Sequence, residues 1–244
     1  MFSSSKNPFS IAIKIGADGV NFNIPILILI LSFSSDFSLV VELGFASFDP
    51  HPAKTTTKQK FFSIANALII GAVLGLFAKI ADYPYFINLG FTDTADRLGI
   101  WVFVATLISV FSSSPKLAGV KVFAFFGTVL SVYYVYTVLF LGFFSVKAIV
   151  FWSVCAVVTP ICAYIMWYAR GSGIFSNVIL ALPITVLLSE GFGLRNAYLP
   201  IHTHYYLIPW LMGLYLTMII VLLLIIPKNK MQFLIILPIS IVLS

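Results

Sequence analysis

Long apolar runs separated by short polar segments are the feature that most limits how this chain can fold. A helix rises about 1.5 Å per residue, so roughly 20 apolar residues cross the hydrocarbon core of a bilayer, which is about 30 Å thick. Six runs reach or approach that length, at residues 61–80, 98–113, 122–141, 148–168, 174–189 and 206–226. We therefore predict an all-α fold, a polytopic bundle of six transmembrane helices within a domain of residues 58–230.

Composition excludes a soluble protein. The 244 residues contain 14 Lys and Arg plus 8 Asp and Glu, 9% of the chain, against 61% hydrophobic residues. A soluble globular domain carries about 25% charged and about 45–50% apolar residues. The net charge of +6 does not indicate a nucleic-acid partner, because the basic residues lie singly between apolar runs and form no stripe. The expected partner of this surface is the lipid bilayer.

The positions of Lys and Arg predict the orientation of the bundle. One side carries Lys54, Lys58, Lys60, Lys116, Lys121, Arg170, Lys228 and Lys230. The other side carries only Lys79, Arg97, Lys147 and Arg195. Loops richer in Lys and Arg are usually cytoplasmic. We therefore predict that both ends of the six-helix domain, and with them the N- and C-termini, are cytoplasmic.

Residues 1–57 are predicted to form an extension outside this domain. Residues 11–24 alternate apolar and polar side chains around an Asp-Gly pair, which indicates a hairpin. The apolar run 25–33 becomes a full span only by burying Asp36 and Glu42. An acid at the centre of a span costs about 2.5–3.5 kcal/mol, which disfavours a seventh helix here.

Residues 231–244 form an apolar tail at the other end of the chain. The tail is too short to cross a bilayer, and it contains Pro238. We predict that it lies at the membrane interface.

Three small residues follow one face of the first predicted helix. Ala67, Gly71 and Gly75 are spaced at intervals of four. Because lipid supplies no hydrophobic drive between helices, such a face allows the close backbone approach on which helix association depends. The pattern predicts a helix contact within the bundle, and its alternative is a docking face for another membrane subunit.

A candidate solute site is predicted where polar residues interrupt apolar helices. The third helix carries Tyr133, Tyr136 and Thr137, and the fourth and fifth contain Pro160 and Pro183. Broken helices can mark a transporter's binding site, although simple kinks and cross-helix bonds are the plainer reading. We predict that these five residues border one cavity. Glu190, at the end of the fifth apolar run, is added to the candidate site.

Glu190 also belongs to a candidate metal site with His202 and His204. A carboxylate and two imidazoles can hold zinc and leave a fourth position for water. The alternative is a surface loop in which Glu190 pairs with Arg195. Because the sequence contains no HExxH or CxxC motif, we predict neither a metal nor another cofactor.

A family resemblance rests on LGIWVFVATLISVFSSSPKLAGVKVFAFFGTVLSVYYVYT at 98–137 and IMWYARGSGIF at 165–175. From about residue 61 to residue 227 the chain resembles a family of functionally uncharacterised bacterial membrane proteins with about six helices. The resemblance implies a six-helix fold in the bacterial cell membrane, and it implies no activity. A looser, fold-level likeness to the small substrate-binding membrane subunits of energy-coupling importers implies that Gly71 and Gly75 face a partner.

The predicted function is that of a non-enzymatic membrane protein that binds or moves a small solute. The prediction rests on the polar third helix, on the prolines and on the lack of a convincing catalytic set. One alternative is a metal-dependent membrane enzyme built on Glu190, His202 and His204. The other is a structural subunit that joins a membrane complex through its first helix.

Overall fold

The computed structural model describes residues 56–81, 95, 97–142, 146–171, 173–197, 205–227 and 230–244. Regular structure in these ranges is helical, with no strand, which confirms the predicted all-α class. The α-helices are α1 (Thr57–Ala81), α2 (Leu98–Val110), α3 (Pro115–Tyr136), α4 (Val146–Met166), α5 (Ile174–Ala197), α6 (Ile208–Ile225) and α7 (Lys230–Leu243). The predicted extension lies outside the described residues except for its last two positions.

Five of these helices are long and apolar enough to cross a membrane, namely α1, α3, α4, α5 and α6. The protein is therefore a membrane protein with at least these candidate spans. Helix α2 has 13 residues, which corresponds to a length of about 20 Å. This length is less than the thickness of a hydrocarbon core, so length alone does not identify α2 as a membrane-crossing helix.

Helix α1 begins before the apolar run because its N-terminus is capped. The Thr56 backbone N–H donates to Gln59 Oε1 at 2.9 Å, and the Gln59 N–H donates back to Thr56 Oγ1 at 3.4 Å. This reciprocal pair is a capping box, which satisfies N–H groups that have no partner inside the helix. The box starts α1 at Thr57, four residues ahead of the predicted start of the span.

Helices α1 and α3 pack side by side and run in the same direction. A Cβ atom added at Gly71 would lie 2.5 Å from the carbonyl oxygen of Phe125, and one at Gly75 would lie 2.8 Å from that of Val129. One turn further on, the Lys79 ammonium lies over the ring of Tyr133. The paired residues always differ by 54 positions, as two parallel helices in a constant register require. The small-residue face of α1 therefore covers the backbone of α3.

The remaining helices alternate in direction, so the bundle has two distinct ends. At one end, α2 begins at Leu98 and its Trp101 packs in one cluster with Ala78 of α1. At the other end, Trp167 after α4 donates its indole N–H to the Ser112 carbonyl after α2, at 2.7 Å. We call the end with Trp101 the upper end and the end with Ser112 the lower end.

Helix α5 is longer than the sequence predicts. It runs to Ala197, whereas the prediction ended it at residue 189. Gly191 and Gly193, which suggested a loop, lie within the helix, and a Cβ atom at Gly193 would meet nothing within 4 Å. Each glycine costs a helix about 1 kcal/mol, and the neighbouring Leu194 is fully buried.

The tail forms helix α7, which packs along the lower half of α5. Gln232 Nε2 donates to the Gly171 carbonyl at 3.5 Å, and Ser240 Oγ donates to the Ala181 carbonyl at 3.4 Å. Thr185 on α5 also donates to the Ser240 carbonyl at 3.5 Å. The residue numbers of the contacting pairs increase along both helices, so α7 runs parallel to α5, beginning at the lower end.

Candidate functional site

A charged cluster joins three helices near the upper end. Glu190 on α5 accepts from Arg97, which directly precedes α2, with 3.4 Å between Arg97 Nη1 and Glu190 Oε2. The hydroxyl of Tyr215 on α6 donates to the same oxygen, also at 3.4 Å. The Arg97 and Glu190 side chains are 19% and 22% exposed. We call these three residues the Glu190 cluster.

Glu190 is the only acid in the part of the chain that the structure describes. Both of its described donors reach Oε2, and within the described ranges Oε1 has no hydrogen-bond partner. The two contacts are longer than the roughly 2.7–2.9 Å of a tight charge-assisted hydrogen bond. As far as the described residues go, one oxygen of the carboxylate is therefore open to a further donor. Because the side chain is partly buried, such a bond would be weakly screened by water.

Gly99 leaves the space in which Tyr215 enters the cluster. A Cβ atom at Gly99 of α2 would collide with the Tyr215 ring, and one at Gly191 of α5 would lie 3.8 Å from the Tyr215 Cβ. Tyr215 is only 4% exposed. The ring thus fills the space between α2 and α5, and its hydroxyl emerges beside the carboxylate.

A second polar contact lies at the same end, between α1 and α3. The Lys79 ammonium lies 4.5 Å from the centre of the Tyr133 ring and 3.5 Å from its hydroxyl. A cation placed over a tyrosine ring is attracted by the electrons of the ring face. Lys79 is 4% exposed, so this ring provides part of the environment that a buried ammonium needs.

The predicted residues of the third helix lie close to this contact. The Thr137 hydroxyl donates to the Tyr133 carbonyl at 2.8 Å, and the Tyr136 ring lies 4.5 Å from that of Phe140. From Thr137 to Leu141 the helix widens into a π-helical turn, and it ends at Gly142 with φ +66°. Such turns frequently accompany functional sites, and here the turn follows the residue that contacts Lys79.

The structure does not bring the two prolines to this group. Pro160 of α4 packs against Gly119, whose added Cβ would lie 3.0 Å from the Pro160 carbonyl oxygen. Gly119 precedes Tyr133 by 14 positions, which is about 21 Å along α3. Pro183 is buried in the lower half of α5, between Ala181 and Thr185, which both contact α7. The predicted five-residue site is thus divided among separate parts of the bundle.

The described cavity near the upper end is too small for a solute. Its volume is about 10 Å³, comparable to the space for one water molecule. It lies between α1 and the start of α2, lined by Leu74, Phe77, Ala78, Ala95, Ile100 and Trp101. All six are apolar except for the indole nitrogen of Trp101, which donates to the Ala95 carbonyl at 2.8 Å.

The predicted metal ligands are only partly described. His202 and His204 lie outside the described residues, and within those residues no three acidic, imidazole or thiol groups come together. Glu190 contacts Arg97, and the side chain of Arg195, its predicted partner, lies outside the described part. A guanidinium beside the carboxylate competes with any cation for the same oxygen.

Sequence reasoning missed Arg97 and Tyr215 as partners of Glu190. The one available signal was that Tyr215 is a hydroxyl-bearing aromatic in the middle of an apolar run. No protein-family model, curated protein or solved structure matches this chain. The candidate site is therefore defined by its own geometry.

Proposed function

We propose that this integral membrane protein binds or transports a small solute through the Glu190 cluster. The observation that carries the proposal is a partly buried carboxylate with one oxygen lacking a partner in the described chain, held between α2, α5 and α6. Charged residues within membrane helices are costly, and they commonly mark a binding site or pathway. A small polar solute with a hydrogen-bond donor is the matching ligand, because Oε1 of Glu190 can accept from it.

The same proposal includes six membrane crossings. Helices α1 and α3 run parallel, so the chain between them has to return across the bilayer. Helix α2 begins beside Ala78 at the upper end and is followed by Ser112 at the lower end, which supports α2 as the returning segment. An even number of crossings places both ends of the domain on one side. The excess of Lys and Arg supports the cytoplasm as that side.

The proposed location is the cell membrane of a bacterium, on the resemblance of residues 61–227 to uncharacterised bacterial six-helix membrane proteins. A docking role for the first helix would need a face other than that of Ala67, Gly71 and Gly75, because α3 covers it. The solute-binding proposal needs no partner subunit, and the bilayer is the partner that it requires.

A ligand screen with a matched pair of variants tests solute binding. We expect that some members of a panel of small polar metabolites raise the melting temperature of the detergent-purified protein, since a ligand stabilises the state that binds it. Glu190→Gln, which keeps the shape but removes the charge, should abolish that rise. Ser131→Ala is the control, because this exposed hydroxyl bonds only to the Gly127 carbonyl of its own helix.

A stabilisation that Glu190→Gln retains in full would place the ligand elsewhere and refute the proposed site. A panel that stabilises neither the wild type nor the control would count against solute binding itself. Fluorescence-detected thermal unfolding measures all three proteins under one condition.

A further inference from the structure

The lower ends of α1 and α3 form a basic surface. Continuing the 54-residue register by one turn from Gly71 and Phe125 places Ala67 opposite Lys121. Ala67 is 3% exposed and Lys121 is 8% exposed, so the helices remain in contact at this level. Lys58, Lys60 and Lys116 lie in the first turns of the two helices, and all three are exposed. We call these four lysines the lower lysine cluster.

This cluster lies at the level of lipid headgroups. Phe61 and Phe62 directly follow Lys60 on α1, and they are 76% and 67% exposed. On α3, Val120 and Phe123 flank Lys121 and are 50% and 49% exposed. Large apolar side chains exposed on membrane helices mark the start of the hydrocarbon region, and aromatic residues gather at its boundary. The exposed lysines lie just outside that boundary.

Lys121 has no compensating group in the part of the chain that the structure describes. No hydrogen bond or ion pair engages its ammonium there, although the side chain is more than nine-tenths buried. The single described acid, Glu190, lies at the upper end. The buried part of the side chain is its apolar stem, and the ammonium at its end keeps some accessible surface. Side chains on a helix incline toward its N-terminus, which directs Lys121 toward the lower lysine cluster.

We propose that the lower lysine cluster binds the headgroup of an anionic phospholipid, whose phosphate meets the accessible ammonium of Lys121 beside the contact of α1 and α3. A phosphodiester supplies a negative charge and acceptor oxygens, which these four ammonium groups do not find among the described residues. Thr56 and Ser114 already cap the two helix N-termini, so the lysines provide the attraction. Groups of four or more basic residues at a membrane surface favour anionic lipids. This site is independent of the Glu190 cluster at the opposite end.

Lipid retention measured by native mass spectrometry tests the proposal. We expect detergent-purified protein to retain phosphatidylglycerol at about tenfold lower lipid concentration than phosphatidylcholine with the same acyl chains. Lys121→Met should remove most of this preference. The substitution removes the charge and keeps an unbranched side chain of similar size in the buried position, so folding is not expected to suffer. The double variant Lys60→Gln/Lys116→Gln, altered only at exposed positions, should weaken the preference independently.

Arg170→Gln is the control, because it removes one basic charge from the lower end at a side chain that stacks on Phe111, at 5.3 Å, outside the lysine cluster. It should leave the preference within about twofold of the wild type. Equal retention of the two lipids by the wild type would overturn the proposal. So would an equal loss in Arg170→Gln and Lys121→Met, which indicates only a general attraction to basic charge. Displacement of the lipid by excess inorganic phosphate alone would show that a free anion, and not a phospholipid, is the ligand.

Discussion

Glu190 is held by two donors that lie far from it in the sequence. Arg97 precedes it by 93 positions, and Tyr215 follows it by 25. Neither contact follows from a local pattern, because each requires α2, α5 and α6 to meet. Gly99 makes that meeting close enough, since it leaves room for the Tyr215 ring. The site therefore depends on the absence of a side chain at position 99 as well as on the presence of three others.

Replacing Gly99 with Ala should destabilise the protein by about 1–3 kcal/mol, because the new methyl group would overlap the Tyr215 ring. Gly213→Ala is the matched control on α6, where an added Cβ meets nothing within 4 Å. That change should stabilise by roughly 0.5–1 kcal/mol, as alanine does in a helix interior. Unfolding by added dodecyl sulfate in mixed micelles measures both effects. Identical midpoints for the two variants would contradict the packing of Tyr215 on Gly99.

At the scale of helices, two different outcomes show what a sequence can predict. The small-residue face of α1 follows from spacing alone, and in the structure Gly71 and Gly75 lie against α3. The end of α5 could not be predicted, because glycines after Glu190 favour a loop locally. The contacts that keep the helix intact come from other helices. Local patterns thus locate apolar faces, whereas tertiary contacts decide where this helix ends.

Arg97→Gln should loosen the upper end of α5. The variant removes the ionic partner of Glu190. A partly exposed ion pair of this kind stabilises the folded state by about 1 kcal/mol. We expect amide exchange in residues 190–194 to accelerate by roughly fivefold, which corresponds to that free energy. Hydrogen exchange with mass spectrometry measures it, and Lys58→Gln on α1 serves as the charge-removing control. Unchanged exchange in Arg97→Gln would mean that the ion pair does not stabilise the helix end.

At the scale of the whole molecule, the parallel packing of α1 and α3 is the main support for the proposed topology. The sequence predicts six crossings only if the short apolar run 98–113 is counted, which has fewer than the roughly 20 residues that a crossing needs. Helix α2 is shorter still, with 13 residues. The register between Gly71 and Phe125 supplies an independent argument, because two parallel neighbours need a return crossing between them. Long-range contacts of this kind leave no periodic signal in a sequence.

Single-cysteine labelling tests the six-crossing arrangement in a background lacking Cys155 and Cys162. Gln59→Cys and Ser113→Cys should both resist a membrane-impermeant maleimide applied to intact cells, since both positions lie at the lower end, which the proposed orientation places in the cytoplasm. Val146→Cys, at the start of α4, should be labelled from outside. Opposite accessibility of positions 59 and 113 would show that α2 does not cross.

In the proposed six-crossing arrangement, the returning helix α2 is only about 20 Å long. If the bilayer thins to match this helix, the membrane voltage falls there over a path about two thirds as long as elsewhere, and the local electric field is about half as strong again. Arg97 and Glu190 lie at the upper limit of that thin region. Small movements of these two charges would therefore couple to the membrane potential more strongly than equal movements elsewhere in the protein.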